Sequence, residues 1–196
     1  MKKFVLVLLI GLLLGTAAFA DHDGLGIGLI LGGGGGLHGA AFNPGLSLKL
    51  PALPIFWGIY AGWSSNNWGY NYFGLTITGD YYIIDKNLFS STATSEDGSY
   101  KVKLDWYFGL GGAVNMNFWN NRYYEWDRNG IRHDRRDDGF GLGLGLRIPI
   151  GLSWHVITPF EIALGLAPTF GVYIANNSGF WWDIHAELVF RYWLIK

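Results

Sequence analysis

Beyond its first twenty residues the chain is organised by a period of two. Leu25, Ile27, Leu29 and Leu31 alternate with Gly24, Gly26, Gly28 and Ile30, and Leu46, Leu48 and Leu50 alternate with Gly45, Ser47 and Lys49. A third run carries Ile55, Trp57, Ile59, Ala61 and Trp63, and a fourth carries Phe73, Leu75, Ile77, Gly79, Tyr81 and Ile83. The fifth extends from Val102 through Leu104, Trp106, Phe108 and Leu110 to Val114, Met116 and Phe118. The sixth runs from Phe140 to Trp154, the seventh from Phe160 to Val172 and the eighth from Phe180 to Leu194. Strict alternation predicts strands with one face in an apolar medium. Most of the runs have the ~9–11 residues that a tilted strand needs to cross a bilayer. About eight of them, an even number, predict an all-β fold: an antiparallel up-and-down transmembrane β-barrel whose closure leaves no unpaired edge in lipid.

The same alternation would serve a soluble ligand-binding barrel with its apolar face inward, so composition has to decide the orientation. In the soluble case the solvent face would be rows of glycine, including Gly139, Gly141, Gly143 and Gly145. Glycine solvates poorly as a surface but suits the inside of a narrow barrel, where there is room only for packed side chains. Charged residues make up 15% of the chain, below the ~25% of ordinary soluble domains, while aromatics reach 17% with ten tryptophans. Both values favour the lipid-facing orientation.

The first twenty residues read as a targeting segment. Lys2 and Lys3 precede an apolar run from Phe4 to Leu14, and Ala18-Phe19-Ala20 supplies the small residues of a cleavage site. The run is too short to span a bilayer as a helix, so a signal peptide cleaved after Ala20 is expected, with residues 21–196 as the outer-membrane domain. Losing Lys2 and Lys3 takes 14 basic residues to 12 against 15 acidic ones, a net charge of −3. That charge argues against a nucleic-acid partner. With no cysteine, neither disulfides nor a cysteine-linked lipid can hold the protein.

With the N-terminus on the periplasmic side, Trp57, Trp106, Trp154 and Tyr192 fall near the inner ends of the runs. Trp63, Phe118, Phe140 and Trp182 fall near the outer ends. Two aromatic girdles at the membrane interfaces are therefore expected. Residues 51–54 and 156–159 read as short inner turns, and residues 85–99 as a longer polar connection. The outer loops are residues 32–36, 64–71 and 175–179, together with the most charged segment, which opens at Asn120 and closes at Asp138. Pro149 within the sixth run implies a bulge or local kink.

Polar residues on the inward face are the candidate site. Lys49, Arg147 and Arg191 are expected to pair with Asp80, Glu161, Asp183 and Glu187, because charges in a narrow lumen must be paired or hydrogen-bonded. Asp183, His185 and Glu187 share one face, a spacing that also permits metal binding or proton transfer. The bland reading, a structural network, is the better one, and no metal or other cofactor is implied. Ser153 and His155 share the inward face as a nucleophile and base would, but no carboxylate is tied to them by sequence. In the charged loop, Asp127-x-Asn129-Gly130 matches a fragment of a calcium loop without its closing Glu. The loop reads as a solvated surface on which an external ligand can dock. Residues 32–36 lack the Gly-Lys-Ser/Thr of a phosphate loop.

Several short segments occur in a familiar order: Gly45-Leu46-Ser47-Leu48-Lys49, Asp80-Tyr81, Tyr107-Phe108-Gly109-Leu110-Gly111-Gly112, Arg147-Ile148-Pro149-Ile150-Gly151-Leu152, Ala167-Pro168 and Phe190-Arg191-Tyr192. The sequence resembles small, functionally uncharacterised bacterial outer-membrane barrel proteins, similar in architecture to the OmpA transmembrane domain and OmpW. The resemblance implies an eight-stranded outer-membrane barrel, with outer-membrane lipid and the barrel-assembly machinery as partners and no catalytic residues. Family members commonly end on an aromatic residue, whereas this sequence runs from Trp193 on to Lys196. The expected function is a structural or adhesive outer-membrane protein, not an enzyme, with exposed loops and a packed polar lumen. The alternatives are a narrow pore or hydrophobic-solute conduit, a lipid-modifying barrel enzyme and the soluble ligand-binding barrel.

Overall fold

The computed structural model describes residues 24–36, 39–51, 53–65, 70–95, 98–126, 128, 131–157, 159–175 and 178–195. The expected signal segment and the Asn176-Asn177 turn lie outside the described residues.

Among the described residues nine strands follow one another: β1 (Leu25–Gly36), β2 (Gly39–Lys49), β3 (Phe56–Ser65), β4 (Tyr70–Ser95), β5 (Gly98–Trp126), β6 (Arg132–Arg147), β7 (Ile150–Ile157), β8 (Phe160–Ile174) and β9 (Gly179–Ile195). All pairings are antiparallel. β6 and β7 both pair with β5 and β8, so they are two halves of one strand position. β1 pairs with β9, from Leu25↔Ile195 to Gly36↔Asp183, which closes a ring of eight strands.

The ring's geometry follows from its register. A row of outward-facing partners leaves Phe180 on β9 and passes Val172, Leu144, Val114, Ile77, Ile59, Leu46 and Leu29. It returns to β9 at Phe190, ten residues from its start. With strands about 4.8 Å apart and a rise of about 3.3 Å per residue, that stagger tilts the strands by roughly 40° and sets a backbone radius of roughly 8 Å. Every residue in the row is apolar, and Leu29 is 61% exposed. The neighbours at odd spacing face in and are buried, among them Ser47, Lys49, Thr78, Asp80, Arg147 and Arg191. The orientation inferred from composition is therefore the one observed: polar inside, apolar outside.

Three expected connections are extended structure instead. The glycine-rich residues 32–36 continue β1 and pair with both β2 and β9. Residues 85–99 are the end of a long hairpin, with β4 and β5 paired down to Ser95↔Gly98. The charged segment is a second hairpin, with β5 and β6 paired from Asn120↔Asp138 to Trp126↔Arg132. At Pro149, where a bulge or local kink is expected, the strand is interrupted between β6 and β7 without a change of register. Gly111↔Arg147 on one side and Phe108↔Ile150 on the other keep the same register. The proline carbonyl accepts a bond from the Gly109 N–H at 2.8 Å, so the ring costs one ladder bond without shifting the strand. The irregularity on that strand falls between His155 and Ile157.

The inward glycines are spacers. A Cβ on Gly145 would lie 2.9 Å from Thr169 and 3.0 Å from Trp181, and Cβ atoms on Gly141 and Gly139 would run into Tyr173 and Trp119. Gly111 and Gly112 make a direct test of this. A Cβ on Gly111 would run into Asp80, whereas the nearest atom to one on outward-facing Gly112 is 3.8 Å away. Gly111→Val should destabilise the barrel by about 1–3 kcal/mol or abolish folding, and Gly112→Val should fold like the parent. Urea titration in detergent, followed by gel migration of unboiled samples, reads both.

Candidate functional site in the barrel lumen

Four strands build the first lumenal cluster. β9 presents His185 and Glu187 inward, β6 presents Arg147, β4 Asp80 and β3 Tyr60. Arg147 Nε donates to Asp80 Oδ2 at 2.9 Å, and its Nη2 makes a close ion pair with Glu187 Oε1. The same Glu187 oxygen accepts from the Tyr60 hydroxyl at 2.9 Å and faces His185 Nδ1 at 2.9 Å. A carboxylate can only accept, so the His185 proton belongs on Nδ1, which leaves Nε2 to accept from Asn43 Nδ2 at 3.5 Å. Tyr60 also meets the His185 ring edge-on, with centroids 5.0 Å apart.

The second cluster lies nearer the terminal end of the barrel, where β1 begins and β9 ends. Arg191 Nη1 donates to Glu161 Oε1 at 2.6 Å, and Arg191 Nη2 to Ser47 Oγ at 3.0 Å. Glu161 also accepts from Ser153 Oγ at 2.8 Å and from Trp193 Nε1 at 2.7 Å. The Arg191 guanidinium lies 4.8 Å from the Phe56 ring centroid. Phe56 in turn stacks on Tyr82, and Tyr82 on Tyr107, at 4.2 and 4.3 Å. Lys49 is 1% exposed, and its Nζ donates to the Leu50 carbonyl at 2.9 Å. A third cluster sits at the base of the β4–β5 hairpin. There Asp105, fully buried, is held by Asn87 Nδ2 at 3.1 Å and Lys103 Nζ at 3.1 Å.

Seven of the eight expected lumenal residues are thus brought into two connected clusters or buried beside them, and Asp183 departs. Its Oδ1 is buried without a hydrogen-bond partner, beside Gly34, while the two arginines engage Asp80, Glu187 and Glu161. Asp183 lies two strands from Arg147 in one ladder row, as Asp80 does, but the residue between is Thr169, with a side chain, where Asp80 has Gly111. Among the described residues no three His, Asp or Glu side chains gather to hold a metal ion.

Ser153 and His155 do not form a catalytic relay. Ser153 Oγ is 3.5 Å from His155 Nε2 and hydrogen-bonds Glu161 instead. The nearby acid, Asp105, faces that same Nε2 at 3.6 Å, whereas a relay needs the acid on the other ring nitrogen.

Sequence reasoning missed the aromatic stack of Phe56, Tyr82 and Tyr107, together with Trp193, Asn43 and Asp105. For most of these the signal was present, since they fall on the inward phase of runs already recognised. Asn87 was hidden by the irregularity between Tyr82 and Ile84, which reverses the phase of β4 beyond it. The aromatics assigned to girdles all face outward. Trp63, Phe73, Phe118 and Phe140 form one ladder row across β3 to β6 at the loop end, with Phe118 and Phe140 centroids 5.2 Å apart. Trp106, Trp154 and Tyr192 lie at the opposite, terminal end, and Trp57 is the second residue of β3.

A closed eight-stranded antiparallel barrel with ion pairs on its inward face is the class of protein these features define. No protein-family model matches the chain, and no curated relative matches it. Similar solved structures include Neisserial surface protein A (12% identity, TM-score 0.47, covering 86% of this chain and 94% of that one). The N-terminal β-barrel domain of Pseudomonas aeruginosa OprF is similar at 10% identity and a TM-score of 0.37, covering 85% and 97%. Ail, the attachment invasion locus protein of Yersinia pestis, is similar at 13% identity and a TM-score of 0.27, covering 86% and 97%. These are outer-membrane β-barrel proteins. The likeness is one of architecture, and no residue role is taken from it.

Removing one partner of a buried ion pair leaves the other charge uncompensated. Arg191→Met should therefore lower stability by about 3–5 kcal/mol, read as a lower urea midpoint in detergent. The double variant Arg191→Met/Glu161→Gln should recover part of that loss. A single variant as stable as the parent would remove the pair from the account of stability.

Proposed function

We propose that this chain is an exported integral outer-membrane barrel. It keeps its lumen shut with packed charges, displays the β5–β6 hairpin and neighbouring loops outside the cell, and serves a structural or adhesive role without catalysis. The observation that carries the reading is the outward ladder row from Phe180 to Phe190, apolar at every position around the ring. Water is a poor medium for so continuous an apolar surface, and a bilayer a good one. The filled lumen supports the closed state, since aqueous pores belong to barrels of about sixteen strands. The β5–β6 hairpin supports the display role: its sequence, Asp134-Arg135-Arg136-Asp137-Asp138, carries both signs of charge. Such a surface suits phosphate-bearing lipid headgroups, divalent ions or a protein partner.

Refolding the mature chain in detergent should give a band that shifts on boiling, with no refolding in plain buffer. A monomer that folds in plain buffer would overturn the membrane reading. In planar bilayers the refolded protein should pass no steady current, and stable conductance steps would replace the packed lumen by a pore. An Arg128→Cys variant should react with a membrane-impermeant maleimide on intact cells, and Ser91→Cys only after lysis. The reverse pattern would invert the orientation.

A further inference from the structure

The β4–β5 hairpin leaves the barrel at the terminal end. Phe56↔Asp80 is the last pair that joins β4 to β3, and Lys103↔His155 the last that joins β5 to β7. From Tyr81 on, the β4 side of this ribbon has no neighbouring strand among the described residues, while β5 keeps β7 as far as Lys103; only the last pairs, Ser91↔Val102 to Ser95↔Gly98, are two-stranded, an arrangement marginal in water on its own. This ribbon is two-faced. One face carries the pairs Asp85↔Tyr107, Asn87↔Asp105 and Ser90↔Lys103; the other carries Ile84↔Phe108, Lys86↔Trp106 and Phe89↔Leu104.

The second face is reinforced by both irregularities in β4. Ile83 and Leu88 are the unpaired extra residues, so two β4 residues oppose one on β5 at each site. The result is adjacent apolar residues, Ile83-Ile84 and Leu88-Phe89, where a regular strand would alternate. Leu88 and Phe89 are each 57% exposed and Ile83 46%. This face is continuous with the barrel's outer wall: the outward row goes on from Phe190 through Ile162, Trp154 and Leu104 and ends on Phe89.

We propose that the ribbon's apolar face, Ile83, Leu88, Phe89, Leu104 and Trp106, lies on the phospholipid headgroup region of the leaflet at the barrel's terminal end. The inference rests on the membrane reading of the barrel. Continuity with the outer wall identifies the occupant as lipid. Trp106 is an amphipathic ring suited to the interface. Lys86, exposed on the same face, can lay its stem along apolar surface and present its ammonium to a phosphate. The opposite face keeps Asp105, Asn87 and Lys103 bonded to one another and turned from the lipid.

The chain has no cysteine, so single labels are unambiguous. In the mature protein reconstituted into phosphatidylethanolamine–phosphatidylglycerol vesicles, an environment-sensitive fluorophore at Phe89→Cys should emit to the blue. Headgroup-spin-labelled lipid should quench it. At Ser90→Cys the emission should stay water-like and unquenched. A third label at Leu164→Cys, on the barrel wall, should be quenched by acyl-chain-labelled lipid. If Leu164 is quenched and Phe89 is water-like, the ribbon proposal fails and the membrane barrel stands; if neither is quenched, the membrane reading itself fails. Shielding of Phe89 that grows with the protein-to-lipid ratio, without lipid quenching, would assign the face to a second copy and overturn the proposal.

Discussion

Everything in this protein is subordinate to the width of its lumen. Eight strands with a stagger of ten residues enclose a backbone cylinder of roughly 8 Å radius, about the reach of one extended arginine from each wall. Inward positions cannot all carry side chains, and they cannot be emptied either, because a void forfeits contacts on every side. The chain resolves this by alternating very large and absent side chains. Asp80 and Arg147 sit on β4 and β6 with Gly111 of β5 between them, in one ladder row. Ser47 and Arg191 sit on β2 and β9 with Gly28 of β1 between them. In each case the two side chains meet across the glycine-bearing strand, with Asp80 over Gly111 and Arg191 over Gly26. Tyr107 likewise lies against Gly151 and Gly165.

Burial on this scale makes the charges a source of specificity more than of net stability. Desolvating an arginine and a carboxylate costs several kcal/mol per ion, and their attraction offsets that cost only in good geometry with the remaining hydrogen bonds made. Glu161 has that geometry, with Arg191, Ser153 and Trp193 all donating to it. A slip of one residue on any strand would turn these groups outward and bring apolar residues in. The lumenal pairs therefore fix one register out of several that the outward apolar face alone would tolerate. Asp183, with an orphaned Oδ1, is where that matching stops, toward the loop end.

The legibility of the fold in the sequence follows from which surfaces are asymmetric. Where one face meets an apolar medium and the other a packed lumen, as in Leu25–Leu31 or Phe180–Leu194, the period of two is unmistakable, and inward residues such as Arg147 and Arg191 could be named. Beyond the barrel both faces of a ribbon can be polar, and the period fades. Residues 120–126 and 132–138 therefore read as a loop although they are paired strands, and over residues 85–95, paired with β5, the two irregularities of β4 break the alternation. Residues 32–36 read as a loop because glycine carries no polarity to alternate; what makes them strand is His185 and Asp183 opposite, which need the space. Which arginine meets which carboxylate was not legible at all, since it depends on a stagger that closes only when β1 meets β9.

The two hairpins that the periodicity missed share a strand. β5 runs for 29 residues from Gly98 to Trp126, far beyond the ~10 that a tilted strand needs to cross a bilayer, and it pairs in turn with β4, β6 and β7. Its lower end carries the ribbon whose apolar face is thickened by two bulges, and its upper end carries one side of the charged hairpin. Between them it supplies Gly111 beneath the Asp80–Arg147 pair and Tyr107 in the aromatic stack. The features that project from the barrel are thus not separate loops on an inert scaffold. Both are continuations of the one strand whose middle must stay in register for the lumenal pairs to form, so the packing of the lumen sets the position of what projects at either end.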